Sequence, residues 1–195
     1  MKIFVIRHGQ TTSDVENRYG GDYDDHLTDL GVSEVKKLTG KIKDFGIEIF
    51  FVSPKIRTNE TAKILTEKIQ VPVKTVEGFR ERNQNGILSG MKRDEAKEKY
   101  PEMVELLKDK LNTIEGAEAY EPFKNRVVTA FKEVSGAGYK IIGVITHGGP
   151  IRRILGDILG MEAKWEIADC GWLEIEADND KFKLVKTSGI TEEKK

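Results

Sequence analysis

Two short apolar runs, KIFVI at residues 2–6 and IIGVIT at residues 141–146, each break off into a histidine followed by glycine. β-Branched runs of this length without polar alternation read as strands buried on both faces, as in a parallel sheet. Open α/β sheets bind ligands beyond the carboxyl ends of their strands. The first run therefore delivers Arg7, His8 and Gly9 to such a place, and the second delivers His147, Gly148 and Gly149. Glycine beside each imidazole lets a ligand approach the backbone. One histidine at a strand end is more often an ordinary satisfied polar residue than a functional one; two such pairs in one chain carry more weight.

The rest of the chain alternates between the two periods. Thr28 is placed to cap a helix that runs through Val35, Leu38, Ile42 and Phe45 and is closed by Gly46. Ile47 to Val52 reads as a second buried strand, ended by Ser53-Pro54, and a helix follows over about Arg57 to Ile69. Val71 to Val76, interrupted by Pro72, reads as a short edge strand. Gly78 to Gly90 has neither period. Met91 to Asn112 is charged and helical, split at Tyr100-Pro101, and reads as an inserted cap. Phe123, Val127, Ala130, Phe131 and Val134 mark another helix. Pro150 suits the first turn of a helix that reaches Leu159. Trp172 to Ala177 and Phe182 to Thr187 read as a closing hairpin around Asp178-Asn179-Asp180, with TEEKK as a frayed tail. Strands alternating with helices predict a three-layer α/β/α sandwich with a mostly parallel central sheet. Its 195 residues form a single domain over 1–195, with a helical cap insertion at about 82–120.

Composition excludes several classes. Thirty-two basic against 33 acidic residues leave no global field to recruit nucleic acid or an anionic membrane. A single cysteine, Cys170, excludes an internal disulfide and a cysteine-based zinc site, and suits a reducing, cytoplasmic setting. The N-terminus opens on a strand rather than a signal peptide, and no apolar run approaches the ~20 residues that span a bilayer. The acidic stretch Asp22-Tyr23-Asp24-Asp25-His26 has no metal-ligand spacing and reads as a solvated loop near a pocket rim. No metal is expected.

Arg7 before the first His-Gly pair, and a helix N-terminus after the second, suggest a phosphate pocket. Arg57, following the second strand, and Glu81, in the irregular loop after the third, fall on the same side of the sheet. Taken alone, each would pass as an ordinary surface charge. Together RHGQT (7–11), LTDLG (27–31), SPKIRTNETA (53–62), RERNQNGILSG (80–90) and THGGPIR (146–152) resemble the histidine phosphatase superfamily, the phosphoglycerate mutase-like proteins. The likeness covers residue 2 to about 160.

The resemblance implies catalytic roles for His8, Glu81, Arg7, Arg57 and His147. His8 is expected to attack phosphorus and form a phosphohistidine, with its other ring nitrogen held by a carbonyl. Arg7 and Arg57 are expected to grip phosphoryl oxygens bidentately, with His147 as a third donor. Glu81 is expected to act as general acid and then base, so Arg80 and Arg82 should turn away from it or contact substrate. Further phosphate contacts are expected from Gly148 and from the first loop. There Asp14 stands where the family usually has asparagine, and facing phosphate it would need to be protonated or bridged by Arg18 or a water: either the loop is shifted so that Asn17 or a Gly20–Gly21 amide takes over, or the phosphate site is weaker than usual. Ser89 likewise replaces an aromatic common in the family.

These residues suit a metal-independent phosphatase for a small phosphate ester, needing no cofactor. The alternative is a 2,3-bisphosphoglycerate-dependent phosphoglycerate mutase; a catalytically silent phospho-ligand binder is a third reading. From Glu81 to His147 the chain spans 66 positions, shorter than the usual mutase insertion, and its cations (Lys92, Arg93, Lys97, Lys99, Lys108, Lys110) include no Arg-Arg pair. That favours hydrolysis. A homodimer is a state the family often adopts.

Overall fold

The computed structural model describes residues 1–109 and 111–193; Lys110 among the cap cations, and Lys194 and Lys195 of the tail, lie outside the described residues. Six strands, β1 (Lys2–Arg7), β2 (Ile49–Val52), β3 (Val73–Thr75), β4 (Ile141–Thr146), β5 (Trp165–Asp178) and β6 (Lys181–Glu192), form one sheet in the order β3-β2-β4-β1-β5-β6. The pairings β1–β4, β2–β4 and β2–β3 are parallel, whereas β1–β5 and β5–β6 are antiparallel. The sheet is thus mixed: the predicted parallel part runs from the β3 edge to β1, and the antiparallel β5–β6 hairpin forms the other side.

Alternation along the strands builds two cores. Ile3, Val5, Phe51, Ile142 and Val144 face α6 (Tyr120–Ser135) and α7 (Gly148–Arg153), meeting Phe123, Val127, Phe131 and Ile151. Phe4, Ile6, Phe50, Val52 and Ile145 face α2 (Asp29–Ile42) and α3 (Ile56–Thr66), meeting Val35, Leu38, Ile42 and Leu65. This is the three-layer arrangement that period-2 strands and period-3.6 helices require. Thr28 caps α2 as expected, its hydroxyl accepting from Gly31 N–H at 3.0 Å. α7 continues into a π-helical turn over Ile154–Ile158.

The first loop carries a short helix that periodicity missed, α1 (Thr12–Val15). The cap holds α4 (Arg93–Lys99) and α5 (Pro101–Leu106), separated at Tyr100, and a small cluster of its own around Tyr19, Leu88, Ala96 and Ile114. The closing hairpin is longer than predicted. A break in the β5–β6 register between Ile167 and Trp172 hides the first half of β5 from a period-2 reading. TEEKK is also paired as far as Glu193, whose N–H donates to Lys164 O at 2.8 Å. No helix among the described residues is long and apolar enough to cross a membrane.

Two glycines separate space from entropy. A Cβ on Gly143 in β4 would stand 2.4 Å from the ring of fully buried Phe50, whereas one on exposed Gly40 in α2 would meet nothing within 4 Å. Gly143→Ala is expected to destabilise by about 1–3 kcal/mol through overpacking. Gly40→Ala is expected to stabilise by about 0.5–1 kcal/mol. Thermal melts would register these as shifts of opposite sign; a shared sign would refute the packing argument.

Candidate active site

β1 and β4 are neighbours in parallel register, with Arg7 opposite Thr146, so the next residue of each strand is a histidine beside a histidine. The two rings lie 5.1 Å apart, and His8 N–H donates to Thr146 O at 3.1 Å. His8 is held at both ends: its carbonyl accepts from Cys170 N–H at 3.1 Å, in the irregular stretch of β5, and its Nδ1 lies 2.8 Å from Gly9 O. That contact makes Nδ1 the protonated nitrogen and leaves the lone pair on Nε2.

Arg57, in the first turn of α3 and buried, points its Nε at both imidazoles, 3.2 Å from His8 Nε2 and 3.2 Å from His147 Nδ1. A guanidinium N–H can only donate, so both nitrogens present lone pairs and both rings are neutral. Burial foremost, and then the Arg57 charge, hold the pKa of each histidine well below the ordinary imidazole value of 6.5.

The rest of Arg57 is spent on the first loop. Nη1 donates to Tyr23 O and to Asp25 Oδ1, and Nη2 donates to Gly21 O, each at 2.7 Å. Asp25 is buried and also accepts from Ser13 Oγ. Leaving one member of such a buried pair alone costs about 3–5 kcal/mol. The acidic stretch is therefore not a solvated loop. Asp22 pairs with Lys55 and Arg80, at 3.0 and 3.1 Å, and Asp24 accepts from Ile56 N–H at 2.8 Å. It is the counter-charge that fixes α3 and Arg57.

A cavity of about 160 Å³ opens above His8, room for roughly five water molecules at about 30 Å³ each. Of the residues expected to act together, Arg7, His8, Asp14, Gly20, Gly21, Arg57, Glu81 and Gly148 line it. Thr11, Ser13, Asp25 and Arg152 line it as well, and sequence reasoning missed them. Arg152 had a signal, since it lies within THGGPIR, four residues past Gly148 and so on the same helix face.

Two expected contacts are absent from the wall. His147 is fully buried behind Arg57: its Nε2 donates to Ser53 Oγ at 2.7 Å, so it has no donor to offer a phosphoryl group. Asn17 is exposed at a left-handed turn, φ 52°, where its carbonyl accepts from Arg93 N–H and ties the loop to the cap. Among the described residues Arg57 keeps one uncommitted N–H, on Nη2, rather than the fork a bidentate grip needs. Arg18 does not bridge Asp14 but contacts Glu16 and Gly90 O. Asp14 is exposed and closes a capping box on α1, its Oδ2 accepting from Thr11 N–H at 2.9 Å and Thr11 Oγ1 at 2.8 Å. Arg7 donates to Ile167 O and pairs with Asp169 at 3.1 Å, while its buried Nε has no hydrogen-bond partner among the described residues.

Glu81 is clamped: Oε1 accepts from Arg82 N–H at 2.8 Å, and Oε2 from Gly149 N–H at 2.9 Å. The second bond uses an amide of α7 that the sequence reading reserved for phosphate. A Cβ on Gly149 would stand 2.0 Å from Glu81 Oε1, so any larger residue there would displace the carboxylate. Arg80 turns to Asp22, and Arg82 turns into the cap, its Nε donating to Glu118 O at 2.9 Å.

With this geometry in view, the likenesses gain content. A family model described as histidine phosphatase superfamily (branch 1) matches residues 3–188. An uncharacterised phosphatase, PhoE of Bacillus subtilis (strain 168), is 26% identical over 159 residues, covering 81% of this chain and 77% of that protein. A 2,3-bisphosphoglycerate-dependent phosphoglycerate mutase of Nitrobacter hamburgensis is 34% identical over 105 residues, 51% of this chain and 50% of its own length. The crystal structure of the α-ribazole phosphatase from Shigella flexneri superposes with a TM-score of 0.86 over 95% of both chains at 21% identity, a likeness of fold.

The neutral histidine pair has a consequence for stability. Below pH 6.5 the unfolded chain takes up protons that His8 and His147 refuse in the folded state, so stability falls as the pH falls from 6.5 toward their depressed pKa values. The slope is up to about 1.4 kcal/mol per pH unit for each histidine. Exposed His26, raised by its bond to Glu60, opposes this weakly. Denaturant titrations between pH 7.5 and 5.5 are expected to show the loss, and His147→Gln to reduce its slope. An identical slope in the variant would mean that His147 protonates in the fold.

Proposed function

Because this chain belongs to branch 1 of the histidine phosphatase superfamily, we propose that it is a metal-independent phosphatase that hydrolyses a small phosphate monoester through a phosphohistidine on His8. The observation that carries this reading is the neutral His8, its Nδ1 tied to Gly9 O, in a cavity walled by Arg7, Arg57 and Glu81. An imidazole held in that tautomer is a nucleophile at Nε2 once the Arg57 Nε–H it shares is left to His147 Nδ1.

In the proposed first half-reaction Nε2 attacks phosphorus, the bond to the leaving oxygen breaks, and Glu81 gives that oxygen a proton. In the second, Glu81 takes a proton from water, whose oxygen attacks phosphorus and releases His8 and inorganic phosphate. Charge on the transferring oxygens is met by guanidinium groups. The unpaired Nε of Arg7 is a donor that a phosphoryl oxygen would satisfy, and one Nη2 N–H of Arg57 is uncommitted. His147 serves from behind, as acceptor for the Nε–H that Arg57 also shares with His8.

The likeness to the Nitrobacter mutase favours a second reading, in which the same phosphoryl group returns to a phosphoglycerate with 2,3-bisphosphoglycerate as primer. The first step is common to both readings, so product analysis divides them. We expect phosphate release from one member of a phosphometabolite panel, undiminished by EDTA. Bisphosphate-dependent conversion of 3-phosphoglycerate to 2-phosphoglycerate with little phosphate release would establish the mutase.

Two variants test the roles. His8→Ala is expected to lower turnover of an aryl phosphate by about 10⁴–10⁶-fold with the cooperative melt retained. Full activity in that variant would end the phosphohistidine proposal. Glu81→Gln is expected to slow alkyl phosphates by about 10²–10⁴-fold, and aryl phosphates, whose leaving groups need no proton, far less. Equal slowing of the two would remove Glu81 as the acid.

A further inference from the structure

Glu81 stands in a stretch that belongs to no strand or helix. Past the 3₁₀ turn Glu77–Phe79 the chain runs irregularly through Arg80 and Glu81. Carbonyls in such a stretch have no ladder to pair with, so side chains or water must satisfy them. Two side chains do so here. Arg126, in the second turn of α6, donates from Nη1 to Gly78 O at 3.0 Å and to Arg80 O at 2.6 Å, and from Nη2 to Glu81 O at 3.0 Å. Thr146, the last residue of β4, donates from Oγ1 to Phe79 O at 2.7 Å. The consecutive carbonyls from Gly78 to Glu81 are thus all fixed, by one residue of α6 and one of β4.

Arg126 has no donor left over. Its Nε and the other N–H of Nη2 go to the two oxygens of Glu118, each at 2.7 Å, so every guanidinium N–H is spent. Glu118 is therefore the strut that holds the guanidinium square to the loop. Gly78 allows the close approach, because a Cβ there would stand 2.4 Å from Ala130 Cβ and 2.9 Å from Arg126 O. Thr146 also reaches toward His8: its carbonyl accepts from His8 N–H at 3.1 Å while its hydroxyl holds Phe79 O. One residue of β4 thereby ties the end of β1 to the loop that carries Glu81.

We propose that Arg126 is a positioning residue for Glu81, with Thr146 as the second anchor of the same loop. Neither residue lines the cavity that holds His8, so neither touches the phosphoryl group. What they set is where the Glu81 carboxyl stands relative to the leaving oxygen. Proton transfer needs hydrogen-bond reach in the transition state, and a misplacement of about 1 Å can cost about 100-fold. The grip of Arg7 and Arg57 and the attack by His8 do not run through this loop. This rests on the phosphatase reading above, with Glu81 as its acid.

The test reads how the rate depends on the leaving group, with propyl phosphate against para-nitrophenyl phosphate. In Arg126→Lys a cation still faces Glu118, but an ammonium lacks the planar fork that spans three carbonyls and a carboxylate. Its kcat for the alkyl ester is expected to fall about 10- to 100-fold, and for the aryl ester less than about 3-fold, with KM and inhibition by orthovanadate little changed. Added to Glu81→Gln, the same substitution is expected to slow the alkyl ester less than about 2-fold further, since the group it positions is already gone. Thr146→Val keeps the β-branched shape in the buried strand and is expected to give the same split; it decides if the lysine variant does not fold. Equal slowing of the two esters, unchanged alkyl turnover, or full additivity with Glu81→Gln overturns the inference. A split in Glu81→Gln alone overturns only this inference, whereas a wild type that turns over no monoester overturns the phosphatase reading and this inference with it.

Discussion

One N–H bond organises this site. The Nε of Arg57 lies between two imidazole nitrogens, and a donor in that position compels both rings to present lone pairs. From this follow the tautomer of His8, the neutrality of both histidines, and the commitment of the opposite nitrogens to Gly9 O and Ser53 Oγ. A guanidinium can hold this post because it does not deprotonate in a protein; a lysine, desolvated to the same degree, could shed its proton and leave the tautomers unassigned. The buried charge is tolerable because Asp25 neutralises it and three carbonyl or carboxylate oxygens accept from its Nη groups.

Much of this was legible in order along the chain. Strands β1, β2 and β4 declared themselves by unbroken apolar runs, and the residues after each proved to be neighbours because parallel strands end together. What escaped were pairings between distant residues. Nothing local distinguishes the carboxylates at 22–25 from a solvated loop, since their partners Lys55, Arg57 and Arg80 lie some 30 to 60 positions further on. His147 looked like a ligand-facing residue because it follows a strand and opens a helix. Only the position of Arg57 and Ser53 shows that it stands one layer behind. Asn17 was a reasonable substitute for the asparagine missing at residue 14, but a left-handed turn carries it outward.

The irregular stretch of β5 illustrates why the second half of the hairpin was harder to read. Between Ile167 and Trp172 the strand loses register, Cys170 takes φ 55°, and alternation fails. The same irregularity supplies Ile167 O and Asp169 to Arg7, and the Cys170 amide to His8 O. A break in the period that obscured the strand is what lets an antiparallel neighbour reach Arg7 and His8 at the carboxyl end of β1.

The order of strands also sets when the site can exist. β1 precedes β2 to β6 in sequence, yet its two neighbours, β4 and β5, lie more than 130 positions further on, and β4 must enter between β1 and β2 to reach its place. His8 and His147 are separated by 139 positions in sequence, so the loop closure that brings them together is among the costliest the chain makes. A partly folded chain can hold α2, α3 and the β2–β3 pair before β4 brings His147 beside His8. The pairing of the two imidazoles thus comes only with completion of the sheet.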